Sequence, residues 1–176
     1  PPMDQTQFAE ATLLYFILAL WLAAGIPDHH CHRASAIEQT SGYKESLLHL
    51  LMFAEIAIPL LAALFLEINA LVILLVIAGF VVHQLTSLWD VSFAIDKREV
   101  TPVEQHVHSF LEMLPLMSGI IVVILHWPQF LALFGAGPET ARFTLTLKPE
   151  PFPWNYVAGF LVAVLLFEVL PYVEEL

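Results

Sequence analysis

Long apolar runs, broken by short polar clusters, divide the chain into five segments of similar length. A helix needs roughly 20 mainly apolar residues to cross the hydrocarbon layer of a bilayer. The stretches 8–27, 44–66, 69–90, 102–127 and 153–172 meet that requirement. The pattern therefore predicts an all-α fold: a polytopic membrane bundle of about five transmembrane helices, forming a single domain over residues 1–176. Pro59 and Pro115 fall inside the second and fourth stretches and should kink them, which membrane helices tolerate when neighbours satisfy the freed carbonyls. The last two stretches are joined by a long Pro-rich connection with interfacial aromatics.

Composition sharpens this picture. The chain is 59% hydrophobic and 13% charged, with a mean hydropathy of +0.77, whereas soluble domains are about half apolar and a quarter charged. Six Lys and Arg residues and a net charge of −11 leave no basic footprint for nucleic acid. One cysteine, Cys31, excludes an intramolecular disulfide framework. The opening PPMDQTQFAE lacks the cationic region of a secretory signal, so the first apolar stretch reads as a retained helix. Arg33, Lys44, Lys97 and Arg98 lie on one face of the bundle, and Arg142 and Lys148 on the other. The positive-inside rule then puts the first face in the cytoplasm, with the N-terminus outside and the C-terminus inside.

The ionisable residues are sorted just as unevenly. Asp28, His29, His30, Cys31 and His32 follow the first stretch, and Glu38 lies in the connecting loop. Glu45, His49 and Glu55 open the second stretch, His83 and Asp90 close the third, and Glu104, His106, His108 and Glu112 open the fourth. All of these belong to one end of the bundle, and of the histidines only His126 lies at the other. Residues four apart share a helix face. That pairs Glu45 with His49, Glu104 with His108 and Asp28 with His32, while Glu112 extends the Glu104 stripe and His83 shares a face with Asp90.

A carboxylate such as Glu55 or Glu112, roughly 15 Å along its helix at ~1.5 Å per residue, costs about 2.5–3.5 kcal/mol in lipid. A metal, a cationic partner or protonation must offset that cost. Bundles that hold two metals use inward-facing Glu and His from facing helices, and His with carboxylate suits iron, zinc or manganese. The expected ligands are His32, Glu45, His49, His83, Glu104, His108 and Glu112, holding two metal ions, iron first and zinc or manganese as alternatives. Glu55 and Asp90 are expected to orient ligands or relay protons. His29, His30 and His106 read as interfacial groups, as does Glu168 near the end of the fifth stretch.

The runs "HRASAIEQTSGYKESLLHLLMFAEI" and "LWDVSFAIDKREVTPVEQHVHSFLEMLPLM" resemble a family of small bacterial integral-membrane proteins with His/Glu motifs, over roughly residues 28–120. A looser similarity links D-H-H-C-H and H-V-H to the histidine boxes of membrane di-iron desaturases and hydroxylases. That similarity implies a di-metal site at the cytoplasmic mouth of a helical bundle. The expected function is a di-iron oxidoreductase acting on a membrane lipid or other lipid-soluble substrate, with a redox partner. The alternatives are a zinc-dependent membrane hydrolase, a proton- or metal-coupled transporter and a haem-binding protein. Against transport, the far halves of the second to fourth stretches (PLLAALF, LVILLVIAG, MSGIIVVIL) carry no polar path.

Overall fold

The computed structural model describes residues 3–40 and 42–174, without the side chains of Glu38 and Gln39. Glu38 therefore lies outside the described side chains; its backbone belongs to a short helix, Ile37–Thr40, rather than to a loop. Five helices are long and apolar enough to cross a membrane: α1 (Gln5–Ala34), α2 (Tyr43–Phe65), α3 (Ala70–Ala94), α4 (Pro102–Leu125) and α5 (Trp154–Glu174). Among the described residues the only β pairing is an isolated bridge between Leu66 and Leu147.

Local sequence sets where these helices begin. Asp4 and Gln7 form a capping box at α1: the Asp4 carboxylate accepts from the Gln7 N–H at 2.8 Å, and the Gln7 side chain accepts from the Asp4 N–H at 3.2 Å. The Asn69 carbonyl oxygen accepts from the Leu71 and Val72 N–H groups and opens α3. Thr101 caps α4, whose first residue is Pro102, the position where a missing N–H costs nothing.

The main departure from the sequence expectation is at the end of α1. The apolar stretch was expected to end near Pro27, but the helix continues through Pro27 to Ala34. Proline removes one backbone donor and crowds the preceding turn, yet it does not stop a helix that neighbours hold on several sides. Through this extension Asp28 and His32 lie on one face of α1, as their four-residue spacing implies.

α2 packs along α3, α1 packs along α4, and α5 closes the bundle against α1 and α2. The apolar core has two parts. One gathers Ile17, Leu18, Trp21, Leu64, Leu114 and Phe160; the other, towards the α2–α3 turn, gathers Ile68, Val72, Ile73 and Val122. Large apolar side chains such as Leu85, Leu88, Ile124 and Val162 point outward, as they would towards lipid.

Two π-helical segments interrupt this regularity, Thr12–Ile17 in α1 and Leu165–Val169 in α5. Such segments shift the helical register locally and are frequent at functional sites. The Tyr156 hydroxyl donates to the Leu14 carbonyl inside the first segment at 2.7 Å, tying α5 to α1.

The connection after α4 is strapped onto the α2–α3 turn. The buried Gln129 side chain accepts from the Ala70 and Arg142 N–H groups and donates to Glu139 and to the Thr140 carbonyl. Asn69 Nδ2 donates to the Thr144 carbonyl at 2.8 Å, and Arg142 pairs with Glu67 at 2.5 Å. This end of the bundle is closed by backbone and amide hydrogen bonds. The opposite end collects the charge.

Candidate metal centre

At the polar end, four helices each deliver ionisable side chains to one region. From α1, Asp28 and His32 are both buried, with His32 Nε2 3.5 Å from Asp28 Oδ2. From α4, His108 Nε2 lies 2.9 Å from Asp28 Oδ1. Ligand atoms of Asp28, His32 and His108 all lie within 4.8 Å of one another. From α2, His49 Nε2 lies 3.3 Å from Asp90 Oδ2 of α3 and 3.9 Å from Glu45 Oε1. Glu45, His49 and Asp90 form a second group within the same 4.8 Å limit. The groups adjoin, because the His32 and His49 rings stack with centroids 4.3 Å apart and planes 7° from parallel.

These spacings can accept metal ions. Imidazole nitrogens and carboxylate oxygens bind zinc-like ions at about 2.0–2.2 Å, so donors on opposite sides of one ion stand a little over 4 Å apart. Each group needs only small side-chain movements to meet that span.

Arg98 sits between the Glu45/His49 and Glu104/His108 pairs. Its Nη2 donates to Glu45 Oε1 and to Glu104 Oε1, both at 2.6 Å, and its Nη1 donates to Glu104 Oε2 at 3.0 Å. The guanidinium side chain is 2% exposed, Glu45 0% and Glu104 1%. Burial works against the guanidinium's charge, but the hydrogen bonds it donates to Glu104 and Glu45 outweigh it and hold its pKa above the usual arginine value. Bidentate Arg–carboxylate contacts are among the strongest hydrogen bonds in proteins. Sequence reading treated Arg98 only as a topology determinant. Its place between two glutamates is not visible in a pattern that reports the sign of a loop and not the direction of its side chains.

The remaining expected residues stand around these groups. Glu104 is engaged by Arg98 and belongs to neither three-residue group. Glu112 accepts from the Ser87 hydroxyl at 2.6 Å, and Glu55 accepts from the Thr86 hydroxyl at 2.7 Å. His83 Nδ1 donates to the Met52 carbonyl at 3.3 Å and lies 4.0 Å from Glu55 Oε2. That carbonyl can only accept, so Nδ1 carries a proton, and in the neutral form of the ring Nε2 is the acceptor nitrogen. His106 and His30 are exposed and His29 is half-buried, all away from the two groups.

Sequence reading passed over two further residues. Asp28 was paired with His32 on one helix face but was not named among the expected ligands. Glu168 was assigned to the interface, yet it is buried in the π-helical turn of α5. It packs on Gly25 so closely that a Cβ there would stand 2.2 Å from Glu168 Oε1. The D-x-x-x-H spacing could have revealed Asp28. Periodicity assumes a regular helix and could not have placed Glu168.

Glu168, Asp28, His49, His83, Asp90, His108 and Glu112 line a cavity of about 60 Å³. A water needs about 10–15 Å³ measured this way, so the space admits several waters or ions. Asp90 Oδ1 and Glu168 Oε1 are buried with no hydrogen-bond partner among the described residues. Around the cavity, Arg98 is the only buried guanidinium among the described residues, set against a clear excess of carboxylates. Donor chemistry, orphaned oxygens and the excess of carboxylates over buried guanidinium all fit a multivalent cation. Comparison with protein-family models, curated proteins and solved structures finds no match for the chain.

Proposed function

We propose that the chain is an integral-membrane di-metal oxidoreductase, with iron as the first choice of metal and a lipid-soluble substrate. The observation that carries this reading is the pair of adjoining three-residue groups, Asp28/His32/His108 and Glu45/His49/Asp90, drawn from four helices and joined by the His32–His49 stack. Each group offers three protein donors, which leaves coordination positions open for small molecules. Bundles that carry two metals are built from carboxylate and imidazole projecting inward from facing helices, as here. Two iron ions in such a site supply redox chemistry with dioxygen as oxidant, and a redox partner returns the electrons.

The chain's own residues have separate tasks. His83, fixed through its Nδ1 bond to Met52, presents Nε2 as a proton acceptor. Glu112 and Glu55, oriented by Ser87 and Thr86, can hold or pass protons at the cavity wall. Arg98 positions Glu45 and balances part of the negative charge. Among the described residues the wall between the site and the far end of the bundle is almost wholly apolar, which supports chemistry at a fixed site over transport.

The test is aerobic oxidation of protein loaded anaerobically with ferrous iron. A ferric charge-transfer band in the near ultraviolet, with dioxygen consumed in proportion to iron, is the expected result. Tight zinc binding with ester or amide hydrolysis, and no oxidation of ferrous iron, would move the assignment to a hydrolase. A Soret band in the protein as isolated would move it to haem.

A further inference from the structure

A second cavity, of about 120 Å³, runs through the core between α1, α2, α3 and α4. Its wall is almost wholly apolar, with Leu14, Leu60, Leu64, Phe80 and Leu114 among the lining residues. Along α1 it extends from Glu10 to Trp21, and along α4 from His126 back to Leu114 and Pro115. Both helices give the same length, roughly 16–18 Å at ~1.5 Å per residue. At one end are polar residues, Glu10 and His126. At the other, Trp21 and Ile56 line both this cavity and the polar cavity of the candidate metal centre. A narrow apolar chamber thus ends against the imidazoles and carboxylates.

We propose that this chamber binds a single hydrocarbon chain of a membrane lipid, its far end passing Trp21 and Ile56 to reach the candidate metal centre. The inference deepens the oxidoreductase reading and rests on it for the chain's role as substrate. Pockets for small ligands are mostly apolar with a few polar groups at defined places, and here those groups lie at the two ends of a long apolar wall. The length and narrowness fit an extended chain. A compact polar solute would find no hydrogen-bonding partner along most of the wall.

Trp21 offers a direct readout. It is 8% exposed and shielded from surrounding lipid, whereas Trp89 is 62% exposed and Trp154 72%. In full-length protein carrying Trp89→Phe, Trp127→Phe and Trp154→Phe, a fatty acid dibrominated in mid-chain is titrated in detergent, and metal content is measured on the same sample. The expected result is saturable loss of most Trp21 emission, abolished by Ala63→Phe on α2 and, independently, by Ser118→Leu on α4. Either variant suffices should the other fail to fold. Quenching that is absent, or that rises only in proportion to the brominated fraction of the micelle, overturns the chamber. Because the fluorescence signal does not depend on metal, saturable quenching in protein that takes up no iron on anaerobic loading would sink the oxidoreductase reading alone. Bound metal without saturable quenching would sink the chamber alone.

Discussion

Replacing Arg98 with Met is expected to destabilise the protein by about 3–5 kcal/mol, the usual consequence of removing one partner from a buried ion pair. The expectation follows from burial and geometry together. Glu45 and Glu104 are both nearly inaccessible, and one guanidinium reaches both at 2.6 Å. Without it, two carboxylates stand side by side in a low-dielectric setting, each losing its charge partner and several hydrogen bonds. Arg98→Lys should recover only part of the loss, because an ammonium cannot present the planar fork that serves two carboxylates at once. The variant Arg98→Met/Glu45→Gln/Glu104→Gln should recover most of it, since charges removed together need no compensation. Unfolding in mixed detergent micelles, followed by circular dichroism, measures all of these. Arg98→Met within about 1 kcal/mol of the parent, as expected for an exposed pair, would show that the clamp does not hold the helices.

Replacing His49 with Ala is expected to remove one metal ion and weaken the other. His49 is the shared element of the site: its Nε2 faces Asp90 at 3.3 Å and Glu45 at 3.9 Å, and its ring lies on His32 of the neighbouring group. Its loss leaves two carboxylates to hold one ion and removes the packing that orients His32. Bound metal per chain should fall from about two to one or fewer, since affinity depends on every donor and on its orientation. Glu112→Gln is the control. Glu112 belongs to neither group and accepts from Ser87, so both ions should remain. Elemental analysis after dialysis against a weak chelator reads both variants. Unchanged stoichiometry in His49→Ala would detach His49 from the centre.

Hydropathy alone located all five helices to within a few residues, because the requirement to bury about 20 apolar positions in lipid is a property of composition and length. It failed at Pro27. The apolar run stops near Pro27, while packing against neighbouring helices carries α1 on to Ala34. Asp28, paired with His32 by its four-residue spacing, was still left out of the expected ligands. The gathering of ionisable residues at one end was legible, since acids and imidazoles sort by position along each segment. Which acid faces which base was not. Arg98 reaches Glu45 across 53 positions of sequence. Glu168 enters the cavity through a π-helical turn that a regular 3.6-residue period misplaces.

The central claim is that side chains from four helices converge to bind metal inside the bundle. Anomalous scattering from crystals of the metal-loaded protein, collected on both sides of the iron edge, tests it most directly. The account predicts two adjoining peaks, one among Asp28, His32 and His108 and the other among Glu45, His49 and Asp90. No peak inside the bundle, with those side chains still paired to one another and to Arg98, would contradict it.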